Sequence, residues 1–126
     1  MKIKKICIVG YGSHVKNTII PSLNIQTKNI KIITKKIIDE FETFSSIHVA
    51  LKELSKDYIF FNSTPPKFHY SISRLILSSG FNVIVEGFVN TEKGILIQTK
   101  PHEFDPNDFT HLADTNIIGG IINTTE

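Results

Sequence analysis

Apolar positions along this chain cluster in two rhythms, and the two alternate. Ile6-Cys7-Ile8-Val9 is a short continuous apolar run that meets Gly10 at once. Such a run suits a strand buried on both faces. Beyond the turn, Val15, Ile19 and Leu23 recur at helical spacing with Ile20 beside them. Pro21 falls inside that pattern, so the helix is expected to end or kink near Ile20. Asn29 to Thr34 predicts a second strand. Between Ser45 and Ser55, the residues Ile47, Ala50, Leu51 and Leu54 form one helical stripe. Tyr58-Ile59-Phe60-Phe61 predicts a third buried strand, closed by Pro65 and Pro66. A helix follows from about Lys67 to Ser79, with Ile72, Leu75 and Ile76 inward and Gly80 placed to end it in the left-handed conformation. Phe81 to Glu86 predicts a fourth strand. Past Glu86 the pattern weakens: a short strand over Ile95 to Thr99, a helix over Pro106 to Asp114 capped by Asp105, and a last strand over Ile117 to Ile122.

Strands alternating with helices imply a parallel sheet covered on both faces. The expected fold is α/β, a Rossmann-like doubly wound sheet in a single three-layer domain over 1–126. A chain of 126 residues makes one domain of ordinary size. It carries 40% hydrophobic residues and a net charge of +2. A nucleic-acid binder would show a denser basic face with interleaved aromatics, so that class is set aside. The single cysteine, Cys7, lies inside an apolar run and reads as a small buried hydrophobe. The apolar run after Met1-Lys2-Ile3-Lys4-Lys5 is short and no stretch approaches about 20 apolar residues. The expectation is a cytoplasmic protein with no membrane partner.

The segment Gly10-Tyr11-Gly12-Ser13-His14-Val15 joins the first strand to the first helix. A helix N-terminus there offers unpaired N–H groups and positive dipole to a pyrophosphate. Gly10 permits the tight turn, and Gly12 removes the side chain that would block the phosphate. Val15 stands where the full fingerprint has its third glycine, a slot that serves helix–strand packing. The acidic residue expected roughly 20 residues on is missing. The second strand ends instead in Thr34-Lys35-Lys36. A carboxylate there would accept from the ribose hydroxyls of NAD and repel the phosphate of NADP. A hydroxyl and two ammonium groups do the reverse, which favours NADP over NAD. Asp39, folded back as the ribose ligand, would reverse that preference.

The third strand closes in Asn62-Ser63-Thr64-Pro65-Pro66-Lys67-Phe68-His69, and a helix, Gly80 and Val83-Ile84-Val85-Glu86 follow. This resembles the Gfo/Idh/MocA oxidoreductases, whose N-terminal domain carries a T-P-P-x-x-H turn, then a helix, a glycine and a strand ending in E-K-P. Val9-Gly10-Tyr11-Gly12 and Ile20-Pro21-Ser22-Leu23 are similar to that family's first strand, turn and helix. The resemblance runs from about Lys5 to Val89. It implies that Thr64, Pro65 and Pro66, with Ser63 beside them, line the nicotinamide and ribose side of a cofactor site. It places His69 in the first turn of the next helix, where its role is more structural than catalytic. Glu86 would contact the nicotinamide ribose.

Two departures bear on activity. Where the family has Lys-Pro after the glutamate, this chain has Gly87-Phe88, and a glycine can neither move a proton nor bind substrate. The family's substrate pocket comes from a C-terminal domain for which 126 residues leave no room. His102, Glu103, Asp105, Asp108, His111 and Asp114 fit no standard metal spacing, so no metal is expected. No catalytic residue can be assigned. The reading is an NAD(P)-binding protein related to sugar-type dehydrogenases, either degenerate or completed by a partner, whether a second copy in a homodimer or a separate substrate domain. The alternatives are a non-enzymatic regulatory module, a CoA- or nucleotide-binding module, and a minimal NADP-dependent reductase of sugar or polysaccharide metabolism.

Overall fold

The computed structural model describes residues 3–85, and the backbone of residues 88–91 and 94–97. Five strands form one sheet: β1 (Ile6–Val9), β2 (Ile30–Ile33), β3 (Glu42–Phe44), β4 (Ile59–Asn62) and β5 (Asn82–Val85). Every pairing in it is parallel, and the order is β3-β2-β1-β4-β5. The order reverses at β1, which lies between β2 and β4. That is the switch point where open α/β sheets leave a crevice at their carboxyl edge. The expected Rossmann-like α/β fold is present.

Side chains alternate between the two faces of the sheet, and the two cores follow that period. On one face Ile6, Ile8, Ile30, Ile32, Phe61 and Ile84 pack with Val15 and Ile19 of the first helix. On the other, Cys7, Val9, Ile33, Phe60, Val83 and Val85 pack with Ala50, Leu51 and Ile76 from the helices after β3 and β4. Burial on both sides is why β1 is apolar at all four of its positions.

The first helix, α1, is helical over residues 13–22, as a π-helical stretch Val15–Ile19 running into Ile20–Ser22. The sequence pattern has it end or kink near Ile20. It runs on to Ser22 although Pro21 has no N–H to return to the preceding turn. The Ile20 N–H reaches back five residues to the Val15 carbonyl. This wider turn lies directly before the proline ring. Leu23 then leaves in an extended conformation.

Helix α2 (Ile47–Glu53) starts where the Ser46 hydroxyl accepts from the His48 N–H. Helix α3 (His69–Ser78) follows a 3-10 turn, Pro66–Phe68. It ends with Gly80 at φ 91°, the Gly80 N–H on the Leu77 carbonyl and the Phe81 N–H on the Ile76 carbonyl. That paired bonding across a left-handed residue is the Schellman arrangement. The inward stripe of α3 holds the expected Ile76, fully buried, with Ile72 and Leu75 partly buried against the same core, and it adds buried His69 and Ser73.

Strand β3 escaped the sequence pattern. It has three residues, of which only Phe44 is buried, so there is no period to detect. Beyond β5, a hairpin forms from β6 (Phe88–Thr91) and β7 (Gly94–Ile97), paired antiparallel. The expected strand over 95–99 is β7, shifted by one residue at its start; its partner was not anticipated. The expected helix over 106–114 and strand over 117–122 lie outside the described residues.

Candidate cofactor site

Three strand ends meet at the carboxyl edge around the switch point. Val9 of β1 is in register with Ile33 of β2 on one side and Asn62 of β4 on the other. The residues one step beyond are tied to those ends. The Gly10 N–H donates to the Ile33 carbonyl at 3.0 Å, and the Ser63 N–H donates to the Val9 carbonyl at 3.1 Å. The Thr34 N–H donates to the Phe44 carbonyl at 2.9 Å. Gly10, Thr34 and Ser63 therefore form one rim.

The two glycines of the first turn differ in kind. Gly10 has φ 104°, and a Cβ there would stand 3.2 Å from the Ser63 carbonyl oxygen. Backbone conformation and crowding both demand glycine at this position. Gly12 lies outside the left-handed region, and a Cβ on it would have no atom within 4 Å. The fold makes no demand for glycine here. Gly12 is exposed, as are Ser13 and His14 that follow it at the start of α1. A pyrophosphate approaching the helix N–H groups needs the space that Gly12 leaves open. Val15, in the third slot of the motif, is fully buried against β1 and β2.

The lysine end of β2 is folded onto this turn. The Lys36 ammonium is 3.4 Å from the Tyr11 carbonyl oxygen and 6.0 Å from the Tyr11 ring centroid. The Lys36 N–H donates to the Thr34 hydroxyl at 3.2 Å. Lys35 and Asp39 are exposed on the same connection. Lys36 thus brings positive charge to the glycine turn, next to the end of β2.

On the other side, the Thr64-Pro65-Pro66 loop is held by a closed set of hydrogen bonds. Asn62 Oδ1 accepts from the Thr64 N–H at 3.2 Å and from the Thr64 hydroxyl at 2.6 Å. The Thr64 carbonyl oxygen is 2.7 Å from His69 Nε2. A carbonyl only accepts, so Nε2 carries the proton. Asn62 Nδ2 donates to the His69 carbonyl at 3.2 Å and to Ser73 Oγ at 2.9 Å. Asn62, His69 and Ser73 are all buried. Sequence reasoning did not single out Asn62 or Ser73. Their signal was present: an amide ending the apolar run of β4, and a serine four residues after His69 on the inner face of α3.

The structure brings Gly10, Tyr11, Gly12, Thr34, Lys36, Ser63 and Thr64 to one edge. Pro65 and Pro66 continue that edge into α3, and His69 serves as a buried prop for it. Glu86 and the His102 to Asp114 stretch lie outside the described residues. Cys7 is in mid-strand and plays no part, and burial pushes its thiol far above the ordinary range. Among the described residues no group of three His, Cys, Asp or Glu could hold a metal ion. No helix of the described residues is long and apolar enough to cross a membrane. A groove of about 320 Å³ opens beside Ile3, Asn24 and Asn29, at the amino edge of β1 and β2, away from the site.

The parallel sheet and its order define a Rossmann-like α/β domain. Solved structures sharpen the comparison. The chain resembles a dehydrogenase from Chromobacterium violaceum, with a TM-score of 0.55 and 22% identity over 69% of this chain and 28% of that one. It also resembles D-galactose-1-dehydrogenase from Rhizobium etli, with a TM-score of 0.54 and 18% identity over 94% of this chain and 34% of that one. What is shared is the fold, a Rossmann-like α/β domain. The chain spans between 28% and 34% of the length of these two structures. No protein-family model and no curated protein sequence matches the chain.

Proposed function

We propose that this chain binds a nicotinamide dinucleotide at the carboxyl edge of β1, β2 and β4, as the cofactor platform of a sugar-type dehydrogenase. The observation that carries this is Gly12: its backbone does not require glycine, and the volume its side chain would fill is open at the start of a helix. Gly10, Gly12 and the first residues of α1 hold the pyrophosphate. Thr34 and Lys36 hold the adenosine ribose, and the Lys36 ammonium favours the extra phosphate of NADP over the bare hydroxyls of NAD. Ser63, Thr64, Pro65 and Pro66 border the nicotinamide side. Bound there, the nicotinamide supplies the hydride-transfer chemistry. Gly87 offers no proton-transferring group where related enzymes carry lysine. The substrate side is either degenerate or completed by a partner, whether a second copy or a separate substrate domain.

Titration with NADPH, NADH and CoA, followed by thermal unfolding, tests the reading. A ligand at 100 times its Kd adds about 2.7 kcal/mol to stability. NADPH is expected to raise Tm most, and Gly12→Asp to abolish the rise. No shift with either dinucleotide, or binding that survives Gly12→Asp, overturns it. A shift with CoA alone points to a different ligand class.

A further inference from the structure

The switch-point geometry divides a bound dinucleotide between two strand ends. A ligand whose pyrophosphate rests on the turn after β1 has one nucleoside over β2 and the other over β4, because β1 separates them. The adenosine half meets Thr34 and Lys36. The other half meets the loop after β4. In that loop the Ser63 N–H and the Pro65 and Pro66 carbonyls have backbone partners, Pro65 and Pro66 have no N–H to give, and Thr64 meets side chains at both its N–H and its carbonyl. At Thr64 the loop's shape comes from side chains.

We propose that Asn62 is the positioning residue of this site, setting the Thr64-Pro65-Pro66 loop for the nicotinamide half of the cofactor; this rests on the dinucleotide reading above. The carboxamide faces both ways. Its oxygen takes the Thr64 N–H and hydroxyl, and its nitrogen grips the His69 carbonyl and Ser73 Oγ. His69 returns through Nε2 to the Thr64 carbonyl, closing a ring of three residues. Asn62 is 1% exposed and both polar ends of its amide are matched, so the amide cannot turn over without losing bonds at each end. Thr64 is held at its N–H, its hydroxyl and its carbonyl, which leaves the loop one arrangement. Asn62 touches the cofactor only through that loop.

The test compares NADPH with 2′,5′-ADP, or NADH with ADP where the wild type prefers NAD. In Asn62→Ala, affinity for the whole dinucleotide is expected to fall about tenfold, the equivalent of about 1.4 kcal/mol, while affinity for the adenosine half stays within twofold. Amide hydrogen exchange at Thr64 is expected to quicken in the same variant. Ser73→Ala removes one grip on the carboxamide at a position away from the edge, and is expected to give a smaller effect of the same kind should Asn62→Ala fail to fold. Equal losses for both ligands, or none in either variant, overturn the proposal. If the wild type binds neither dinucleotide nor half, the cofactor reading fails. The positioning role then stands or falls on exchange at Thr64, and unchanged protection overturns it.

Discussion

A Cβ on Gly10 would stand 3.2 Å from the carbonyl oxygen of Ser63. The loops that leave β1 and β4 are therefore in contact where they turn away from the sheet. The phosphate turn and the Thr64-Pro65-Pro66 loop lean on one another, and each limits where the other can go. Two kinds of glycine result, and they separate stability from binding.

Gly10→Ala forces a side chain into the left-handed region and against a backbone carbonyl. A loss of about 1–3 kcal/mol in unfolding free energy is expected. Gly12→Ala meets open space, so stability should stay within about 0.5 kcal/mol while dinucleotide affinity drops. Denaturant unfolding with ligand titration on both variants checks this. Equal destabilisation by the two would refute the distinction.

Lys36 lies on the glycine turn, whereas Lys35 is exposed beside it. Replacing Lys36 by Asp should lower the ratio of NADP to NAD affinity by about tenfold or more, a change of about 1.4 kcal/mol. Lys35→Asp should lower it less. The measurement is Kd for both cofactors at fixed salt, since the effect is electrostatic. An unchanged ratio in Lys36→Asp removes that residue from the site.

Cys7 is enclosed in β1, and burial raises its thiol despite an opposing pull from Lys31. The folded thiol keeps its proton where an unfolded one, near about 8.5, releases it. The sign follows: this contribution to stability is full below that pH and shrinks as pH rises, because only the unfolded chain ionises. A thiol reagent at pH 8 should label Cys7 slowly in the native protein and quickly in denaturant. Native labelling as fast as free cysteine would contradict the burial.

Asp57 has the opposite sign. The Ser55 hydroxyl and the Lys5 ammonium, 3.0 Å away, hold its carboxyl below the usual carboxylate range. Its contribution is present above about pH 3.9, the ordinary value, and is lost as pH falls through the depressed one. The carboxyl is exposed, so high salt should return its midpoint toward the ordinary value. An NMR titration of the side-chain carbonyl reads both. A midpoint at the ordinary value in low salt is the contrary outcome.

The sequence by itself determined the strands and helices that are buried on a regular period. Ile6 to Val9 announced a central strand because both faces of β1 are covered, which leaves no position for a polar residue. Gly10 and Gly80 announced turns because each adopts a positive φ that other residues resist. Spacing between the glycine turn, the Thr64-Pro65-Pro66 loop and Gly80 was enough to suggest a cofactor platform. Strand β3 stayed hidden, since an edge strand with one buried residue has no pattern. Pro21 marked where the first helix widens at Ile20 and stops soon after, because the proline has no N–H for the turn before it. Only the tertiary structure decided that Lys36 returns to Tyr11 across 25 positions of sequence, and that Asn62, Thr64, His69 and Ser73 close on one another. Hydrogen bonds between side chains depend on register and on helix rotation. Neither is fixed until the sheet order β3-β2-β1-β4-β5 and the packing of α3 against it are in place.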